Sequence, residues 1–167
     1  VAGWHGFHAI YNIDQREWIV AAAEGFVIQA AAMAESGVGG NSNMVYVSTP
    51  PESNSNDLVS SAAIGVIDNS LNFYPMKYLT GSIGLNFNII TTPHSLLISG
   101  EHSGITIDDI DIDTVGGVDG FLLSLNPANF NTGWSRSIGS GEDDAMREVC
   151  WLDTGHALFS GSFADTT

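Results

Sequence analysis

The densest run of carboxylates in the chain is Asp108-Asp109-Ile110-Asp111-Ile112-Asp113. Asp109, Asp111 and Asp113 stand at the D-x-D-x-D spacing that opens a calcium loop, where alternate carboxylates converge on one hard cation. The rest of that loop is missing. Thr114 holds the sixth position, where the sharp turn takes glycine, and Gly120 holds the twelfth, where a bidentate glutamate closes the shell. On an extended strand the same three carboxylates would line one face instead. The run therefore reads either as a calcium site at Asp109, Asp111 and Asp113 or as an acidic, solvated loop.

The histidines raise zinc, since His5 and His8 are close in sequence and His94 and His102 flank one expected hairpin. Imidazole pairs suit that metal. On a strand, however, residues three apart point to opposite faces, and no cysteine or carboxylate lies at a supporting offset. His8, His94 or His156 with a serine and an aspartate would compose a nucleophilic triad, yet no G-x-S-x-G elbow accompanies them. Carboxylate pairs for glycoside hydrolysis are set by folding rather than spacing, and nothing in the sequence singles one out. Gly37-Val38-Gly39-Gly40 lacks the lysine and helix of a phosphate-cradling loop. No catalytic residue is assigned, and the expectation is a protein that is not an enzyme. Trp4, Trp18, Trp134 and Trp151 are the candidate stacking surfaces for a ligand such as a glycan.

The elements that would position these residues are constrained by composition. The 167 residues carry 19 acidic side chains against Arg16, Lys77, Arg136 and Arg147, a net charge of −15. So few cations cannot neutralise a phosphate backbone, which excludes nucleic acid and disfavours anionic membranes. The most apolar window, Trp18 to Ala34, contains Glu24 and Gln29 and is too short to cross a bilayer as a helix. Cys150 is the sole cysteine, so no disulfide forms within these residues. It reads either as a buried thiol or as a partner for a cysteine outside this segment.

Organisation shows in an internal echo. Gly3-Trp4-His5-Gly6-Phe7 and Gly117-Val118-Asp119-Gly120-Phe121 share G-x-x-G-F, and each leads into an alternating run ending at Asn12 or Asn126. Those asparagines are 114 apart, twice 57, and a step of 57 from Asn12 reaches Asn69 at the end of Ala62 to Asp68. Aromatic-bearing segments follow at Glu17 to Val20, Met76 to Leu79 and Gly133 to Arg136. Closing strands follow at Met44 to Ser48, Ser95 to Ser99 and Ala157 to Ser160. Short strands separated by Gly, Asn, Asp, Ser and Pro turns are the pattern of a propeller blade or a comparable antiparallel unit. The alanine-rich stretch Glu17 to Glu35 is helical by propensity, but the repeat register and Gly25 place strands there.

The third copy, Gly116-Gly117-Val118-Asp119-Gly120-Phe121-Leu122-Leu123-Ser124-Leu125-Asn126-Pro127, resembles the opening strand of bacterial-type SBBP β-propeller repeats, roughly G-G-x-D-A-F-V-x-K-L-D-P. The resemblance continues through Trp134, Gly139, Glu142-Asp143-Asp144 and Gly161-Ser162-Phe163; copy two departs from it, with Ser60-Ser61 in place of the paired glycines. It implies an extracellular or cell-surface scaffold without a shared catalytic apparatus. The expected fold is all-β and propeller-like, a single repeat domain over 1–167 of about three four-stranded blades, at 3–57, 58–113 and 114–167. Because propellers close with about four to eight blades, further blades of a longer parent or neighbouring chains are expected partners. The expected function is a non-catalytic structural or adhesive module mediating protein contacts in a surface assembly or filament. The alternatives are a glycan- or calcium-binding propeller module and a propeller-fold hydrolase.

Overall fold

The structure, a computed structural model, describes residues 7–12, 17–22, 27–33, 42–50, 58–68, 70, 72–92, 94–153 and 156–164. It is mostly strand and no helix is present among the described residues, so no helix there is long and apolar enough to cross a membrane. The alanine-rich window is therefore strand: β1 (Phe7–Asn12), β2 (Glu17–Ala22), β3 (Val27–Met33) and β4 (Ser42–Thr49) come first. They are followed by β5 (Val59–Asp68), β6 (Phe73–Ile83), β7 (Asn88–Thr91), β8 (Leu96–Ile107) and β9 (Ile110–Ile112). The chain closes with β10 (Asp119–Leu125), β11 (Thr132–Ile138), β12 (Ala145–Asp153) and β13 (His156–Ser162).

Nine strands form one antiparallel sheet in the order β11-β10-β8-β6-β5-β4-β3, with β7 and β9 also pairing β8. The sheet curls into a half-barrel. The hairpins β1–β2 and β12–β13 are separate two-stranded sheets. Pairing is continuous across residues 57/58 and 113/114, because β4 pairs β5 and β8 pairs β10.

The core fills the concave side, and strand alternation selects it. Val45 and Val47, Ala62, Ile64 and Val66, Leu96 and Ile98, Ile105 and Ile107, and Phe121, Leu123 and Leu125 occupy every second position and are at most 4% exposed. Burying each large side chain contributes about 1.5–3 kcal/mol. Strand β10 has all seven residues buried, because the core covers one face and β12 packs on the other. Gly120 permits that approach: a Cβ there would lie 2.9 Å from the Met146 Cβ. At the far end of β10, Phe130 sits fully buried with φ 60, held by its N–H to the Asn126 carbonyl at 2.8 Å.

Candidate functional site

Polar side chains gather one rung beyond the apolar core face of β8, β10 and β11. The register pairs Asp119 with His102 and Phe121 with Ser137, so all three polar residues share the face of Phe121 and Leu123. His102 and Asp119 are both 0% exposed.

A β-bulge shapes the spot. Gly81 pairs with Ile105 but Ile83 pairs with His102, so β8 carries one extra residue at Ser103-Gly104. Gly104 has φ +95 and Gly81 φ +129, and a Cβ on Gly81 would stand 2.3 Å from the Gly104 carbonyl oxygen. Only glycine fits that crossing. The bulge also turns the Gly104 N–H onto His102 Nδ1 at 3.2 Å.

That contact fixes the tautomer. Nδ1 accepts, so the ring proton is on Nε2, which donates to Ser137 Oγ at 3.0 Å. The Ser137 hydroxyl in turn donates to Asp119 Oδ2 at 3.4 Å, and the Val115 N–H donates to the same oxygen at 2.6 Å. Asp119 Oδ1 is buried with no hydrogen-bond partner among the described residues. The imidazole stands edge-on to Phe121, ring centroids 5.8 Å apart. Burial holds His102 below its usual range, while the charges of Asp119 and Asp113 pull it up.

These are the residue types of a nucleophilic triad in the wrong order. Activating a serine needs an unprotonated Nε2 facing the hydroxyl and a carboxylate on Nδ1. Here Nε2 carries the proton, the carboxylate meets the serine, and Nδ1 meets a backbone amide. The chain of donors runs histidine to serine to aspartate, an arrangement that ties three strands together and does not generate an alkoxide.

Ser137 also borders a cleft of about 560 Å³ between β11 and β13, walled by Leu122, Trp134, Arg136, Ile138 and Phe159. A smaller, more enclosed hollow of about 280 Å³ shares Ile138 and Phe159 and continues to Met146 and Phe163. On the opposite end of the sheet a hollow of about 250 Å³ is lined by Tyr46, Phe73, Pro75 and Tyr78 among others.

The carboxylates that spacing suggested for calcium lie along one side of a hairpin. Asp108 and Asp109, at φ 50 and 63, form the two-residue turn between the paired residues Ile107 and Ile110. Asp111 lies on β9 and accepts from Thr106 Oγ1 at 2.7 Å, and Asp113 follows the strand. Extended backbone spaces alternate residues about 6.6 Å apart, and among the described residues no three His, Cys, Asp or Glu gather as a metal-holding group. Asp108 instead pairs with Lys77 and accepts from Thr132 Oγ1 at 2.9 Å; chiefly the Lys77 hydrogen bond holds its carboxyl below the usual range.

Of the tryptophans, Trp134 lines the larger cleft and is 41% exposed. Trp151 is half-buried on β12 opposite Ala157 and does not line that cleft. Trp18 lies on β2 opposite Tyr11, and Trp4 lies outside the described residues, as does His5. His94 and His156 are exposed, the latter 2.7 Å from Asp153 Oδ1, and His8 is on β1. Cys150 is exposed on β12, not a buried thiol. The cluster itself, His102, Asp119 and Ser137, escaped spacing analysis because strand pairing alone assembles it. The available signal was polarity at core-face positions of apolar strands.

No family model, curated protein or solved structure matches this chain.

Proposed function

We propose that this chain is a non-catalytic structural or adhesive module that binds other protein chains through the outer face of its curled sheet, at a cell surface or outside the cell. One observation carries the reading. Strand β6 leaves Tyr74, Met76 and Tyr78 47%, 43% and 58% exposed, and a β-bulge at Met76 sets Tyr78 on the same outer face as Phe73 and Pro75. Its cation, Lys77, lies opposite Ile64 on the other face from Tyr78 and pairs with Asp108. An outward strand face is ordinarily polar, and exposed aromatic and thioether side chains gathered on it mark a contact surface. Around it the sheet is smooth. Gly65 lets the Tyr46 ring lie over β5, where a Cβ would meet it at 2.7 Å, and Ala63 and Ser61 border the same hollow.

The partner is another protein surface. Copies of this chain meet against a charge of −15 each, so self-assembly would strengthen as salt shortens the Debye length from about 30 Å at 0.01 M to about 8 Å at 0.15 M. A basic partner would show the reverse dependence. The test is native mass by light scattering, at low and moderate salt, for wild type and the double substitution Met76→Ser, Tyr78→Ser. An assembly that the double substitution dissolves supports the reading. A monomer at every salt concentration that also fails to bind basic proteins overturns it.

The finer form of this proposal is an SBBP-type repeat of about three units completed by further blades or neighbouring chains. It is supported by the G-x-x-G-F echo and by the grouping of strands as β1–β4, β5–β8 and β10–β13. In each group the first two strands pair and the last two pair. The β4–β5 and β8–β10 ladders join the groups edge to edge, so on this proposal the units share one sheet instead of standing as separate blades.

A further inference from the structure

We infer that the cleft between β11 and β13 is a binding site for a small ring-bearing carboxylate, with Trp134 as the stacking surface and Arg136 as the anion contact. The inference stands independently of the contact face on β6. It begins with the distribution of cations. Three of the four basic side chains fall on described residues. Lys77 is paired with Asp108, and Arg147 reaches Glu101 at 3.9 Å. Arg136 alone has no carboxylate partner among the described residues; its guanidinium donates to the neighbouring Ser135 carbonyl at 2.7 Å. In a chain with 19 acidic side chains, an arginine left unpaired is positioned against the prevailing charge.

Its surroundings supply the rest of the recognition. Trp134 and Arg136 are two apart on β11 and so project from one face, beside Leu122, which pairs directly with Arg136. Phe159, from β13, closes the opposite wall. The hollow is broad and open, about 560 Å³, with room for a small ring laid along it. An aromatic plane beside an aliphatic floor takes a flat or ring-shaped body. A guanidinium fork takes a carboxylate through paired N–H donors. Sugar acids and aromatic acids share that chemistry.

Isothermal titration of the full chain distinguishes them, using glucuronate and benzoate as probes against their uncharged counterparts glucose and benzamide. At least one acid is expected to bind at least tenfold more tightly than its counterpart, equivalent to about 1.4 kcal/mol. Glucuronate binding assigns a sugar acid and benzoate binding an aromatic acid. Arg136→Gln, at an exposed position that leaves the melting curve unchanged, is expected to bring the acid down to the affinity of its neutral counterpart. Trp134→Phe is expected to remove any ligand-induced fluorescence change. Absence of binding by both acids, or an Arg136→Gln chain that binds the acid as wild type does, overturns the inference.

Discussion

Lowering the pH through the neutral range should destabilise this fold through one residue. His102 is fully buried, and burial holds its imidazole below the ordinary range despite the opposing pull of Asp119 and Asp113. In the unfolded chain a histidine takes up its proton near pH 6.5. Between that value and the lower folded value, the unfolded chain holds a proton that the native chain refuses. Stability is then complete above about pH 6.5 and is lost as pH falls below it, at no more than about 1.4 kcal/mol per pH unit. Geometry gives the same sign. The second proton must land on Nδ1, which already accepts the Gly104 N–H at 3.2 Å, so protonation sets two donors against each other. Urea unfolding of wild type and His102→Gln between about pH 7.5 and about pH 5 isolates the effect. Relief of repulsion among the 19 acidic groups acts in both proteins and cancels in the difference. The difference in stability should be flat above about pH 6.5 and shrink below it. A difference that is flat throughout, or that grows toward acid, refutes the reasoning.

Gly81→Ala should cost about 3 kcal/mol or more, since the residue adopts φ +129 and its new Cβ would stand 2.3 Å from the Gly104 carbonyl; an unchanged urea midpoint would count against the bulge geometry. Leu123→Ala, at a site 0% exposed, should cost about 2–5 kcal/mol with little change in the denaturant slope. Removing divalent cations with a chelator should leave the melting temperature unchanged, because Asp109, Asp111 and Asp113 are strung along a hairpin; a rise of several degrees on adding calcium would show that they converge after all. Cys150 should react with a thiol reagent in the native protein as fast as in urea, and protection in the native state would contradict its exposure on β12.

Local pattern carried most of the strand assignment. The segments Ala62 to Asp68, Met76 to Leu79, Ser95 to Ser99 and Phe121 to Leu125 alternate or run apolar between turn residues, and they fall on β5, β6, β8 (from Leu96) and β10. Even the alanine-rich Glu17 to Glu35 yields strands where it is described, because pairing of β3 with β4 overrides helical propensity. Spacing could not reveal which strands become neighbours. Leu96 to His102 runs beside Asp119 to Leu125, and β6 reaches β8 past the short β7. Spacing likewise brought Asp109, Asp111 and Asp113 into view as a group while saying nothing of the Asp108-Asp109 turn that strings them apart. Trp134 was legible as a candidate surface, but the wall supplied by Phe159 comes from a hairpin folded back over it.

The polar cluster also answers a question that the apolar pattern leaves open. Hydrophobic alternation sets strand register when one face is wet, since a slip by one residue then exposes the core. Strand β10 is buried on both faces, and residues 96–100 of β8 are buried throughout, so a slip between them exchanges one apolar contact for another. Two features penalise the slip. Gly100 lies against the Phe121 ring, where any Cβ would stand 2.7 Å away, so only the observed register places a glycine under that ring. Beyond it, the rung of His102 and Asp119 meets Ser137 with every ring nitrogen engaged. Shifting β8 by one residue would take the buried imidazole Nε2 away from Ser137, at about 1–3 kcal/mol for the unsatisfied group. The cluster that resembles catalytic machinery in composition thus acts, in this fold, as the pin that holds β8, β10 and β11 in a single alignment.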